Sequence, residues 1–180
     1  MMVYSRGTQG DYLALQLVHN RMVLNINLGS RLMTSLSVGS LLDDNAWHDV
    51  EIRREQRNVT FLVDRVRVDD IILGDFRRLD LNKELYLGGV PNLQLGMKAR
   101  VNFTGCLENL FINGTAIIPE IRQSDDYQAY YNSRPTYTAI NTGSVCQVRG
   151  RKSKKTGTYA KLRVASVLIS VALTLRAWGG

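Results

Sequence analysis

Hydrophobic residues recur at every second position through much of residues 12–112, and this periodicity constrains the fold more than any other feature. Val50 and Ile52, for example, alternate with charged neighbours. Successive side chains of a β-strand point to opposite faces, so the alternation predicts half-buried strands. Before position 160 no stretch shows a convincing helical period.

Turn-forming residues separate these runs at short intervals. Examples are Thr8-Gln9-Gly10-Asp11, Asp43-Asp44-Asn45 and Asn113-Gly114, and the acidic pair Asp69-Asp70 is interpreted in the same way. Asn, Asp and Gly favour turns because they tolerate or stabilise turn backbone conformations. Many short strands with frequent turns predict an antiparallel β-sandwich or barrel.

The net charge of +7 is unevenly distributed along the 180 residues. Residues 147–180 hold 8 of the 23 basic residues and no acid, which leaves 15 basic and 16 acidic residues in 1–146, a net charge of −1. The body lacks the basic face with interleaved aromatics that nucleic-acid binding requires, so we expect no specific nucleic-acid partner. The basic run Arg151–Lys155 is expected to contact polyanions or a membrane surface only weakly.

Catalytic motifs are missing from the sequence. His19 and His48 are the only histidines, and no nucleophile elbow, phosphate-binding glycine loop or metal-binding histidine pair is present. His48 follows Trp47 at the start of an alternating run, which favours a structural role. The sequence therefore predicts a protein that is not an enzyme, with no catalytic residues.

Several motifs follow one another in a characteristic order. They are Asp11-Tyr12-Leu13-Ala14-Leu15, Asn25-Ile26-Asn27-Leu28-Gly29, Trp47-His48, Leu85-Tyr86-Leu87-Gly88-Gly89 and Gly105-Cys106. This order resembles the laminin G-like (LNS) domain of neurexins and contactin-associated proteins, including the septate-junction member of insects. The resemblance runs from about Val3 to Cys146.

The resemblance implies an extracellular, all-β antiparallel sandwich of the jelly-roll, concanavalin-like type. It implies adhesion or cell-junction organisation through a cell-surface protein or glycan bound at the sandwich rim. A secreted lectin-like or ligand-carrying protein is the alternative function.

The resemblance also implies that the family's first strands are absent, so a fragment or a non-functional truncated product is a further interpretation. No signal peptide is visible at the start of the chain. We expect a domain over 1–146, a basic linker over 147–161 and a short apolar tail over 162–180, disordered or helical. Membrane association would come through a parent protein, or weakly through the tail.

A calcium site is the most specific feature that the resemblance implies. Family members often hold one ion at the rim, and their ligand positions fall on the side chains of Asp11 and Asp80 and the carbonyl groups of Leu28 and Arg78. Hard oxygen ligands of this kind suit calcium. The competing interpretation is that both aspartates only form turns, and Arg78 beside the site would repel a cation.

Two cysteines and three glycosylation sequons help to indicate whether the protein is cytosolic or exported. Cys106 and Cys146 are too far apart for a zinc motif, and are either free thiols or one disulfide. The sequons begin at Asn58, Asn102 and Asn113 and favour an exported glycoprotein. The resemblance then implies the Cys106–Cys146 disulfide, which would contribute about 4 kcal/mol by chain entropy.

Overall fold

A computed structural model describes residues 1–81, 84–90, 92–103, 105–107 and 109–116, together with the backbone of 136–139 and 161–171. Side chains at 45, 84, 105 and 106 also lie outside the description. The strands of the described residues, in chain order, are β1 (Val3–Arg6), β2 (Asp11–Val18), β3 (Arg21–Leu28), β4 (Thr34–Val38), β5 (Asp44–Glu55), β6 (Asn58–Val63), β7 (Val66–Ile71), β8 (Glu84–Leu87), β9 (Gly105–Leu107), β10 (Leu110–Ile112), β11 (Thr115–Ala116), β12 (Thr136–Ala139) and β13 (Lys161–Val171).

These strands form two sheets. One has the order β12–β8–β1–β2–β3–β4, and the other has the order β11–β10–β13–β5–β6–β7, with β9 also paired to β13. Neighbouring strands run antiparallel except where β12 or β13 takes part, and those pairs are parallel. The predicted all-β antiparallel sandwich is confirmed.

The core lies between the two sheets because the alternating hydrophobic residues of both sheets face each other. Leu13 and Leu24 enter it from the first sheet, and Ile52 and Phe61 enter it from the second. Each is at most 1% exposed. Burying side chains of this size contributes about 1.5–3 kcal/mol each.

Strands β2 and β3 are buried on both faces, which differs from the half-buried strands that the alternation predicts. The outer face of β2 carries Tyr12 and Ala14, which belong to a second hydrophobic cluster with Tyr4 and Tyr86. The ring centroids of Tyr4 and Tyr12 lie 6.2 Å apart in a stacked arrangement. This cluster is buried because the segment after β8, which contributes Ala99 to it, packs over the outer face of the sheet.

A polar contact attaches that covering segment to the sheet. Gln16 is fully buried, and its Oε1 accepts hydrogen bonds from the amides of Lys98 (2.6 Å) and Ala99 (2.9 Å). Its Nε2 donates to the carbonyl of Gly96 at 3.0 Å, and Asn25 Nδ2 donates to the same carbonyl. Both nitrogen and oxygen of the Gln16 amide are therefore paired with the backbone of the covering segment, whereas Asn25 is paired through its Nδ2 and its buried Oδ1 has no partner among the described residues.

Two predictions about local structure are wrong. Residues 161–171 of the tail, expected to be disordered or helical, form β13, because their β-branched residues suit a strand that finds partners on both sides. Asp69 and Asp70 lie within β7 and not in a turn, since their side chains are exposed at the edge of the sheet. Among the described residues, no helix has the length and apolar character needed to cross a membrane.

Candidate functional site

Three segments meet at one end of the sandwich, and we call this surface the rim. They are the start of β2 with the turn before it (7–11), the β3–β4 connection (28–33) and the segment that follows β7 (72–80). The Ser30 hydroxyl lies 3.4 Å from the Leu73 carbonyl and can donate a hydrogen bond to it. The rim is thus built from residues that are far apart in sequence.

Asp11 and Asp80 come together at the rim. Asp11 is 3% exposed, and its Oδ2 accepts a hydrogen bond of 2.6 Å from the Asp80 amide. Its Oδ1 is buried and has no hydrogen-bond partner among the described residues. A buried carboxylate oxygen without a partner is unfavourable, so this position would be stabilised by a donor or a cation.

Gly7 makes this approach of chain segments possible. A Cβ atom added there would lie 2.1 Å from the Asp80 carbonyl oxygen and 2.2 Å from Asp11 Oδ1. The Gly7 amide also donates to the Asp11 carbonyl at 2.9 Å. Two oxygen atoms therefore converge on a space that any larger residue at this position would fill.

The remaining expected ligands lie on the same rim. Leu28 is the cross-strand partner of Asp11 in the β2–β3 ladder. Arg78 precedes Asp80 by two residues, and its Nε lies 3.6 Å from Asp80 Oδ2. The structure thus brings the Asp11 carboxylate to the backbone of Asp80 and gives the Asp80 side chain a cationic neighbour. Within the described ranges, no group of three or more His, Cys, Asp or Glu side chains is placed to hold a metal ion.

Arg54 of β5 contacts the rim, and sequence reasoning missed it. It is 5% exposed, and its Nη1 donates to the carbonyls of Gln56 and Arg77, the latter at 3.1 Å. Its Nε is buried without a partner in the part of the chain that the structure describes. Burial lowers the pKa of Arg54, and the negative charge of Asp80 opposes that effect. Arg54 thus places a second cation near Asp80 and connects β5 to the segment after β7.

The rim also carries exposed hydrophobic residues, and we call them the rim patch. Its apolar members are Leu32 (54% exposed), Met33 (38%), Leu73 (51%) and Phe76 (58%). Exposed Arg31 and Arg77 flank them in sequence. The Leu73 amide donates to Thr34 Oγ1 at 2.8 Å, so the two connections that carry the patch are in direct contact.

His48 lies outside the rim and has the structural role predicted for it. The ring is held between two carboxylates: Nδ1 lies 2.9 Å from Asp64 Oδ2 and Nε2 lies 3.0 Å from Asp44 Oδ1. Asp64 also accepts the Asp49 amide at 3.0 Å. This arrangement connects the start of β5 to the β6–β7 turn. The pairing of His48 with Asp64 has no signal in the local sequence, because the two residues are 16 positions apart.

The predicted covalent sites are only partly described. Cys106 is in β9 with its side chain outside the description, and Cys146 lies outside the described residues altogether, so their disulfide stays a prediction. Asn58, Asn102 and Asn113 are exposed. Glycosylation at each stays a prediction as well.

Comparison with known proteins agrees with the motifs and the fold. The family model described as "Laminin G domain" matches residues 1–115. Neurexin-4 of Drosophila melanogaster is 58% identical over 146 residues, which cover 81% of this chain and 11% of that protein. Contactin-associated protein 1 of Homo sapiens is 36% identical over 120 residues, or 63% of this chain and 9% of that protein. The chain therefore spans about a tenth of the length of these relatives.

Proposed function

Because this chain belongs to the laminin G domain family, in the form found in neurexins and contactin-associated proteins, we propose that it is a non-enzymatic extracellular recognition domain. It would act in cell adhesion and cell-junction organisation by binding a cell-surface protein or glycan at the rim. The identity to Neurexin-4 over 81% of the chain supports this role.

The observation that carries the rim assignment is the buried Asp11 carboxylate. Its Oδ1 has no partner among the described residues and faces the space at Gly7 where the Asp80 carbonyl also converges. A buried carboxylate oxygen needs compensation, and a bound cation would supply it. The residues present therefore fit a rim that binds calcium.

Asp11 and Asp80 would hold calcium with their carboxylates, and Leu28 and Arg78 would contribute their carbonyl oxygens. Calcium takes six to eight oxygen ligands, so these four groups leave positions for water or for an oxygen of the partner. The bound ion would then make partner binding calcium-dependent. With two carboxylates, and with Arg78 Nε 3.6 Å from Asp80, we expect a weak site with Kd on the order of 10⁻⁴–10⁻³ M.

Calorimetric titration with calcium tests the site. The parent should release heat at millimolar calcium, whereas Asp11→Asn and Asp80→Asn should lose most of it because each removes one charged ligand. Asp69→Asn, which alters an exposed carboxylate on β7, is the matched control and should titrate like the parent. Identical titrations of the parent and both rim variants would show that the carboxylates do not hold the ion.

A further inference from the structure

We infer that the rim patch binds an acidic segment of a protein partner, with an apolar side chain of that segment seated on Leu32, Leu73 and Phe76. The inference rests on the proposed recognition function and adds the chemistry of the partner to it. It does not depend on calcium, because the patch is made of other side chains than the carboxylate pair.

The apolar side chains of the patch are well exposed. Leu32, Leu73 and Phe76 are each more than half exposed, and they come from two connections that touch each other. Contiguous exposed hydrophobic residues in a soluble protein mark interaction sites. A buried aromatic residue at the centre of an interface contributes more to binding than most of its neighbours.

Hydrogen bonds hold these connections in place. Ser30 Oγ accepts the Leu32 amide at 3.3 Å, Thr34 Oγ1 accepts the Leu73 amide at 2.8 Å, and Arg57 Nη1 donates to the Gly74 carbonyl at 2.5 Å. Gly74 also allows close packing, since a Cβ there would lie 2.6 Å from Ser30 Oγ. A preorganised surface loses little conformational entropy on binding.

The charge around the patch selects an acidic partner. Residues 29–33 and 72–77 carry Arg31 and Arg77 against the single acid Asp75, and the charge of Arg78 beyond them is offset by Asp80, 3.6 Å away. Arg31 and Arg77 form no ion pair with any residue that the structure describes. This local positive surplus lies on a body whose net charge is −1 over residues 1–146. Carboxylates of a partner would pair with these guanidinium groups, which bind them in a bidentate manner.

The apolar centre favours a polypeptide over a sulfated glycan. A sulfated glycan would use the arginines but offers no hydrophobic side chain for Leu32 and Leu73. An acidic peptide with a Phe or Leu side chain can contact both parts of the patch. Its carboxylates pair with the arginines, and its apolar side chain is buried against the hydrophobic residues. The chemistry of the patch therefore matches an acidic segment with an apolar anchor.

A short fluorescein-labelled peptide of Asp and Glu residues around one Phe and one Leu is a suitable probe. It should bind the parent in fluorescence anisotropy, and amide signals of residues 30–33 and 73–78 should shift in NMR spectra. Phe76→Ser and Arg77→Glu should each weaken binding by about tenfold. Added salt should also weaken it, because the charges are exposed.

Matched controls separate this inference from the calcium site. Val66→Ser and Arg65→Glu alter an exposed apolar and an exposed basic residue at the β6–β7 turn, the opposite end of β7 from the rim, and should bind like the parent. Probe peptides with Lys in place of the acids, or Ser in place of Phe and Leu, should not bind. Phe76→Ser should titrate calcium normally, so failure of one proposal is distinguishable from failure of the other.

Three results would overturn the inference. The first is absence of binding by the acidic peptide to the parent. The second is equal binding by the parent and the Phe76→Ser variant. The third is that a heparin-derived oligosaccharide binds at the patch while the peptide does not, which would identify the patch as a glycan site.

Discussion

A neutral imidazole carries one N–H group, yet both ring nitrogens of His48 face carboxylate oxygens at hydrogen-bond distance. Only the doubly protonated ring can donate to Asp64 and Asp44 at the same time. Burial disfavours that charge, but the hydrogen bonds to Asp64 and Asp44 outweigh it and raise the pKa of His48 above its ordinary value of 6.5. We therefore expect His48 to keep its charge to higher pH than an ordinary histidine.

The raised pKa of His48 predicts that the domain loses stability as pH rises above 6.5. A group whose pKa is higher in the folded state stabilises the fold fully below its unfolded pKa, and this contribution disappears as pH rises through the folded pKa. The melting temperature should thus fall as pH rises from 6.5 through the raised value of His48. His48→Gln should melt at a lower temperature near pH 6 and lose this component of the pH dependence.

NMR titration of the imidazole gives the direct measurement. Asp64→Asn should bring the pKa of His48 down, because Asp64 is the stronger of the two raising influences. A His48 signal that titrates at or below 6.5 in the parent would contradict the expectation.

Glycosylation is a second prediction at the residue scale. Asn58 and Asn113 are exposed, and Asn113 has the left-handed conformation of a tight turn (φ 50°), so both are accessible to the transferase. Asn102 is exposed too, but Phe103 beside it is 4% exposed, so we expect lower occupancy there. Intact mass before and after deglycosylation of secreted protein should show two main glycans. Unchanged mass would contradict this.

At the scale of elements, the alternating pattern predicts the strands well and their environment less well. Val50, Ile52 and Arg54 lie on one face of β5, and continuing the alternation would have indicated that Arg54 is buried. By contrast, the sequence of β2 does not indicate that its outer face is covered, because the contacts of Gln16 with Lys98 and Ala99 join residues 82 and 83 positions apart. Contacts of that separation are not encoded in a local period.

Gln16 should be essential for the covering segment. Gln16→Ala leaves the amides of Lys98 and Ala99 and the Gly96 carbonyl with fewer partners, and each buried unpaired group costs about 1–3 kcal/mol. We expect lower stability in urea and faster hydrogen exchange at Lys98 and Ala99.

Gln9→Ala, in the exposed turn before β2, is the control and should change stability by less than about 0.5 kcal/mol. Slow exchange at both amides in Gln16→Ala would mean that the segment stays in place without this side chain.

At the scale of the whole molecule, the sandwich and its family were predictable because the ordered motifs carry them. Asp11 and Asp80 were expected at one rim from the resemblance, and the structure places them 2.6 Å apart between Oδ2 and the amide. The rim patch was not predicted, since Leu32 and Phe76 look like ordinary strand-flanking residues until the two connections meet. Surfaces of this kind depend on which connections lie next to each other in the folded domain. A single sequence does not show that arrangement.

The Cys106–Cys146 disulfide is a prediction at this scale, because it would link β9 to a distant part of the chain. Peptide mapping of secreted, non-reduced protein should recover both cysteines in one cross-linked peptide. The reduced protein should be less stable by about 4 kcal/mol if chain entropy dominates. Alkylation of both thiols without prior reduction would exclude the bond.

Strand β13 has a consequence for the order in which the molecule can be made. Val50 in β5 pairs with Val167, and Leu110 in β10 pairs with the same residue, so β13 separates two parts of the sheet that are synthesised much earlier. Until residue 171 has left the ribosome, β5 and β10 have no common neighbour. The second sheet can therefore close only after this region has been synthesised, and until then the nascent chain has an open sheet edge.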